Sequence, residues 1–428
     1  MIHQSPIAPG ITFYQAKLAE RPTYAPLPGD TTADVAVIGG GFTGLQAACH
    51  LARAGRDVVL IDGARFGDGA SGRNGGQLGT GQRSAADELE ASIGYERSLK
   101  LFQLAERAKA HIHAFAAENG IDTEFRPGQI SASHKKSYLP AYQSYARAVT
   151  ERYNYPHVRY LNHDEISAKI GSTRFYGGTI DTGTGHINPL KYLVGVARTA
   201  AKAGARLHEE TRALSISTGG GRVTIATDRG TITAGKVLVA CNGYIDGLEP
   251  VTAAHVMPLR SFIGATVPLP ADTPVIPGGE SVDDSRFVVR YFRKSPDNRL
   301  LFGGREAYTA DTPGDISIHI RRQISEIYPG LADIEITEAW GGSVGITMPR
   351  LPFVREVMPG VTAIGGFSGH GVMLSNYCGK LYADLVAGGS DDLEALRALD
   401  IKPFPGGRRF RTPLLFLALT WFSLRDRL

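Results

Sequence analysis

Between Ala33 and Asp62 the chain is written as a strand, a glycine turn, a helix and a second strand ending in an acid, and few folds can use that order. Val35, Val37 and Ile38 form a short apolar strand that runs into Gly39-Gly40-Gly41-Phe42-Thr43-Gly44. Leu45, Ala48 and Leu51 then recur on one helix face, Gly55 ends that helix, and Val58 to Ile61 make a second apolar strand with Asp62 at its tip. Each part has a physical task in a dinucleotide-binding unit. Gly39 permits the tight turn, Gly41 lets the backbone approach a pyrophosphate, and Gly44 with Ala48 lets the helix lie close on the sheet. Phe42, Thr43 and their neighbours open the helix, whose free N–H groups and positive dipole end favour phosphate. Asp62 is placed to accept hydrogen bonds from an adenosine ribose. An ordinary glycine-rich loop would leave that acid unexplained.

At 428 residues the chain exceeds one core, so two domains are expected. Its 46 basic and 42 acidic side chains are mixed along the sequence, which argues against a nucleic-acid surface. Cys49, Cys241 and Cys378 are isolated in apolar or glycine-rich contexts, so buried thiols are expected rather than disulfides, and no metal site. Met1 to Ile11 lacks a basic region followed by an apolar run, so no signal peptide is read and a cytoplasmic enzyme is the expectation. Pro413 to Leu424 is apolar and bracketed by arginines; it is too short to span a bilayer and reads as a packed terminal helix, with a peripheral membrane contact or a dimer seam as alternatives. Oligomeric state is not legible.

Residues 1 to 29 form a proline-spotted leader. One long helical pattern covers about Ala86 to Glu118 and a second about Lys136 to Tyr153; Asn188-Pro189 opens another helix. Lys236 to Ala240 reads as a parallel strand returning to the nucleotide unit, after a β-meander. Four features choose FAD among dinucleotides: three further sequence elements, and the interleaving of two domains that follows from nucleotide-type segments early, in the middle and late in the chain. Ser71-Gly72-Arg73-Asn74-Gly75-Gly76-Gln77 is a second glycine loop able to run along a flavin. Leu238 to Gly243 is a strand followed by small residues, with Ala240 and Gly243 as contacts. Gly366, Ser368, Gly369, His370, Gly371 and Val372 open a helix whose N-terminus suits the flavin O2 and ribityl edge.

These motifs resemble the D-amino-acid/glycine/sarcosine oxidase family of FAD amine oxidases, over nearly the whole chain. SGRNGGQL (Ser71 to Leu78), DNRLLFGG (Asp297 to Gly304), GFSGHGV (Gly366 to Val372) and the tail PFPGGRRFRTP…SLRDRL resemble its γ-glutamylputrescine-oxidising branch in particular. The resemblance implies an α/β plus α+β fold: a Rossmann-like FAD-binding domain of glutathione-reductase type, interleaved with an antiparallel-sheet substrate domain. The expected division is 1–86, 187–252 and 341–428 for FAD, with 87–186 and 253–340 for substrate. Two departures from sarcosine-oxidase relatives follow. Trp340 to Pro349 holds no cysteine, which excludes covalent flavin attachment there, and Met373 stands where those relatives carry a lysine, which counts against a sarcosine-like carboxylate clamp.

The implied reaction removes a hydride equivalent from the carbon beside a neutral amine, and water hydrolyses the imine; FAD supplies the redox chemistry. The protein must orient the amine, keep it deprotonated and exclude water. Tyr291, Phe292, Tyr308, Trp340 and Tyr377 are the aromatic candidates for the wall; positive charge near the flavin falls to His370 and Arg73. Catalysis is therefore expected from His370, Arg73, Trp340 and Tyr308, and substrate binding from Arg260, Tyr291, Arg305 and His186. Each has a structural alternative, as core aromatic or surface charge. The expected activity is oxidative deamination of a primary amine, γ-glutamylputrescine, with oxygen as acceptor. A quinone-linked amine or D-amino-acid dehydrogenase and a non-catalytic flavin-binding module are the alternatives.

Overall fold

The computed structural model describes residues 11–307 and 315–406. The strand Thr31–Ile38 lies between Val58–Ile61 and Thr231–Val239 and runs parallel to both, with Val37 opposite Leu60 and Leu238. Arg206–His208 extends this sheet beyond the second strand; Val361–Gly365 and the antiparallel edge Phe353–Met358 extend it on the other side. Ala213–Gly219 and Arg222–Thr227 form the expected meander beside Thr231–Val239. Alternation along these strands fills two cores. Val35, Val37, Val58, Leu60 and Leu238 face helices Phe42–Arg53, Pro189–Lys202 and Gly371–Ala387, whereas Ala36, Ile38, Val59, Ile61 and Val239 face the meander side. Each of these Val, Leu and Ile side chains contributes roughly 1.5–3 kcal/mol of burial.

The second sheet has 8 strands in the order Ile336–Ile346, Met257–Pro268, Arg299–Ala307, Tyr291–Lys294, Ser281–Asp284, Arg126–Ser133, Gly177–His186, Val158–Leu161. All pairs are antiparallel except Ser281–Asp284 with Arg126–Ser133. One face is a core in which Ile130, Ala132, Ile180, Val282, Phe292 and Phe302 meet Ile320 and Ile324 of helix Ile316–Ile327. The opposite face looks toward the nucleotide sheet.

Several elements differ from expectation. The long helix breaks at Gly94, with φ +83°, into Ala86–Ile93 and Tyr95–Glu118. Leu104, Ala108, Ile112 and Phe115 of the longer piece join the core beneath the nucleotide sheet, although residues 87–186 were expected in the substrate part. The strand Ile336–Ile346 likewise crosses the boundary expected at residue 341 and stays in the substrate sheet throughout. The leader contains a helical turn, Phe13–Lys17, closed by a capping box between Thr12 and Gln15, and it buries Phe13 and Tyr14.

Two glycines separate conformational from steric need. A Cβ on Gly44 would sit 1.8 Å from the Gly39 carbonyl oxygen, whereas one on Gly94 would meet nothing within 4 Å. Gly94→Ala is expected to cost about 1–3 kcal/mol through its backbone conformation alone, φ +83° with ψ 159°. Gly44→Ala is expected to exceed the roughly 1–3 kcal/mol of ordinary overpacking. Urea midpoints of the two variants check this, and equal losses would be the contrary result.

Candidate active site

A cavity of about 750 Å³ lies between the two sheets. It gathers Gly41, Phe42 and Thr43 from the first turn, Ser71, Arg73, Asn74, Gly75, Gly76 and Gln77 from the second glycine loop, Ala240, and Ser368 through Val372 from the third, His370 included. The three glycine elements, far apart in sequence, thus share one wall. Its opposite wall is the free face of the substrate sheet. Met257, Leu259 and Ser261 line the cavity together with their cross-strand partners Ile346, Val344 and Gly342; Tyr291, Asp283, Gln129, Ser131, Thr179 and Asp181 continue the face.

The residues present fit FAD. A Cβ on Gly41 would lie 2.9 Å from the Ser71 hydroxyl oxygen, which accepts the Phe42 N–H at 3.1 Å, so the first two glycine elements close on each other where a pyrophosphate would pass. Helix Phe42–Arg53 points its N-terminus there. Gly39, Gly44, Asp62, Gly243 and Gly366 stand behind this wall. Asp62 accepts the Gly40 N–H at 2.7 Å and the Ala64 N–H at 2.9 Å, so its carboxylate braces the turn. Burial pushes that carboxyl up to about 6 despite the two donors. Gly243 packs on the backbone of Ser343 and Gly345, and the Gly366 N–H donates to Asn242 Oδ1 at 2.8 Å. Asn242, in the left-handed region at φ +47°, also lines the cavity; its place before a glycine after a strand was the available signal.

The second glycine loop is held by its carbonyls. Trp340 Nε1 donates to the Arg73 carbonyl at 2.9 Å, the Tyr14 hydroxyl to that of Asn74 at 2.8 Å, and Arg293 Nε to that of Gly75 at 2.6 Å. Trp340 is therefore not an aromatic wall. It is fully buried with Tyr14, Leu190, Ile263 and Leu301, because the N-terminal turn and the glycine loop cover its end of the sheet face. Arg73 is buried, lines the cavity and donates through Nε to the Gly341 carbonyl.

Other expectations are corrected. Arg260 is one residue out of register with the lining residues Leu259 and Ser261, so it belongs to the opposite sheet face. His186 is 1% exposed, its Nε2 lies 3.0 Å from the Gly279 carbonyl, and it does not line the cavity. His370 lines the cavity but is not cationic at neutral pH: burial first, then Arg83 and Lys109, pushes its imidazole down to about 4. Tyr291 faces the cavity as expected, its hydroxyl 3.1 Å from Ser261 Oγ. Tyr308, the side chain of Arg305 and the apolar tail lie outside the described residues. Phe292 and Tyr377 are buried in core clusters.

Charged groups unforeseen in the sequence line or support the same cavity. Asp181 accepts from Thr80 at 2.6 Å and from the Tyr155 hydroxyl at 2.8 Å; buried Lys109 donates to both of those hydroxyls at 2.9 Å. Arg83 and Asp283 face the cavity beside Tyr142 and Tyr145. No group able to hold a metal occurs among the described residues, and all three cysteines are free.

Residues 34–385 match the family described as FAD dependent oxidoreductase, DAO. The chain belongs to that family. This FAD-dependent oxidoreductase is 64% identical over 427 residues to "Probable oxidoreductase OrdL" of Rhizobium meliloti, covering 100% of both chains. It is 33% identical to "Gamma-glutamylputrescine oxidoreductase" of Escherichia coli, covering 97% of this chain and 98% of the relative. Among solved structures, glycine oxidase from Geobacillus kaustophilus superposes with a TM-score of 0.69 at 23% identity, over 84% of this chain and 95% of that one. No helix of the described residues is long and apolar enough to cross a membrane.

Gly41→Val is expected to abolish FAD retention, and His370→Ala to keep the flavin while slowing turnover, since only the first adds bulk at the phosphate turn. Flavin absorbance per protein, beside oxidation rate, checks both; a loaded Gly41→Val would misplace the cofactor. His186 yields a pH prediction. Burial pushes its folded-state imidazole from 6.5 down to about 3, so between those values the unfolded chain binds a proton that the folded one refuses. Its contribution to stability is full above pH 6.5 and falls on acidification, by about 2 kcal/mol at pH 5. The difference in unfolding free energy between wild type and His186→Gln should shrink by that amount from pH 7 to pH 5; a pH-independent difference would contradict a neutral buried imidazole.

Proposed function

We propose that the protein is an FAD-dependent amine oxidase acting on the terminal primary amine of γ-glutamylputrescine. The amine, oxygen and water give γ-glutamyl-γ-aminobutyraldehyde, ammonia and hydrogen peroxide. FAD, when bound, takes two electrons and a proton from the carbon beside the amine. The chain's own part is to hold the dinucleotide on Gly41 to Thr43, to set the second loop through Trp340, Tyr14 and Arg293, and to present a polar sheet face to the substrate.

The observation that carries the reading is the continuity of one cavity from the dinucleotide turn to the face bearing Asp181 and Asp283. Carboxylates suit an amine-bearing substrate better than a simple carboxylic acid. The named activity of the Escherichia coli relative, matched along nearly its whole length, supports the same substrate. Arg73, buried on a flavin-side loop, is the cation best placed to favour charge developing near the ring.

Purified holoenzyme in membrane-free buffer is expected to release one peroxide per aldehyde from γ-glutamylputrescine, and much less from sarcosine or D-amino acids. Turnover of sarcosine or D-amino acids alone would overturn the substrate. Aldehyde formed only with an added quinone would overturn the acceptor.

A further inference from the structure

The cavity wall carries two opposite charges that do not neutralise each other. Arg83, on the loop after the second glycine segment, lines the cavity and belongs to no salt bridge among the described residues. Asp283, on Ser281–Asp284, also lines it; Gln129 Nε2 donates to its Oδ2 at 2.5 Å and Ser131 is its neighbour on the adjoining strand. The carboxylate is thus oriented without being neutralised. Burial raises the Asp283 carboxyl while Arg83 acts the other way, so the two charges are close enough to interact. They are nevertheless not closed into an ion pair. A fixed cation and a fixed anion held apart in a partly desolvated space favour a guest carrying the mirror arrangement, and disfavour one with a single charge.

The surroundings agree. Tyr142 and Tyr145, half-buried on helix Leu139–Glu151, line the cavity beside this pair and offer aromatic surface to an ammonium group. Asp283 lies three strand spacings along the sheet from Ser261, about 14 Å at ~4.8 Å per strand. Ser261 pairs with Gly342, which packs against Arg73. Asp283 pairs across the strands with Tyr291, which packs beside Gly75, and Gln77 Nε2 donates to the Val282 carbonyl at 3.2 Å, so the charged pair sits at the Gln77 end of the glycine loop and Arg73 at the other.

We propose that Asp283 and Arg83 recognise a zwitterionic α-amino-acid head on the substrate, Asp283 accepting from its ammonium and Arg83 donating to its carboxylate. The substrate class is then amines that carry an α-amino-acid group remote from the carbon to be oxidised. This rests on the amine-oxidase reading, but the head-group site can be measured without turnover. The probes are γ-glutamyl-n-butylamide, glutaric acid mono-n-butylamide, which lacks the ammonium, and 4-aminobutanoyl-n-butylamide, which lacks the carboxylate.

Anaerobic calorimetry on the holoenzyme is expected to give binding of the first probe roughly ten- to a hundred-fold tighter than either of the others. Asp283→Asn should bring the first two probes toward equal affinity, and Arg83→Gln the first and third. Flavin absorbance matching wild type verifies that each variant is folded; if either loses flavin, Asp283→Glu and Arg83→Lys, which keep the charge, should retain discrimination where a merely shape-based site would not. A wild type indifferent to either charge, or an Asp283→Asn that keeps full preference for the ammonium, overturns the proposal. Intact discrimination without oxidation of γ-glutamylputrescine would sink the amine-oxidase reading and leave the head-group site standing.

Discussion

Four consecutive carbonyls, those of Arg73, Asn74, Gly75 and Gly76, are each taken by a donor from elsewhere in the chain: Trp340, Tyr14, Arg293 and the Ile187 N–H. A glycine-rich segment has the largest conformational entropy to lose, so it needs more external constraint than most loops. Here the constraint comes from both halves of the molecule. Trp340 and Arg293 belong to the substrate sheet, Ile187 precedes a helix of the nucleotide layer, and Tyr14 lies on the N-terminal turn. Arg293 also donates to the Tyr14 hydroxyl at 3.0 Å, so two of the clamps are themselves coupled. Removing one would leave a buried acceptor unpaired, a cost of about 1–3 kcal/mol. The same bonds that shape the wall for the dinucleotide therefore fix how the two sheets face each other.

That fixed facing lets one sheet do two jobs. Odd-numbered Leu259, Ser261, Asp283 and Tyr291 look into the cavity, while Phe262, Val282 and Phe292 fill the core against helix Ile316–Ile327. A slip of one residue would exchange polar wall for apolar core, which makes register strongly specified. The sheet is consequently a rigid support on which specificity groups are placed by parity, not by loop flexibility.

The nucleotide half was legible because its signals are local: glycine spacing, a strand of valines and an acid at a strand tip lie within Ala33 to Asp62. Local signals also failed where they were small. The capping box of Thr12 and Gln15 announces the turn that carries Tyr14, yet a five-residue helix leaves no periodicity to read. The substrate wall was less legible because parity decides it. Arg260 and Ser261 are neighbours in sequence, and only the strand register says which of them meets the cavity. Trp340 has the parity of a lining residue and is removed from the wall by the turn and loop that cover it. The charge of His370 was out of reach altogether, since Arg83 and Lys109 come from distant segments.

The neutral state of His370 bears on the reaction beyond that one ring. Burial together with nearby guanidinium and ammonium groups drives an imidazole toward its free base. A substrate amine entering the same region meets the same desolvation, which favours its uncharged form too. The unprotonated amine is the form whose neighbouring carbon can give up a hydride equivalent, so on the amine-oxidase reading the environment does part of what a dedicated base would do. Asp283, on the sheet face, supplies the complementary condition: beside it a carboxylate favours an ammonium that stays charged. A substrate with two nitrogens can then be held by one while the other reacts, because desolvation favours a neutral nitrogen and an adjacent carboxylate a charged one.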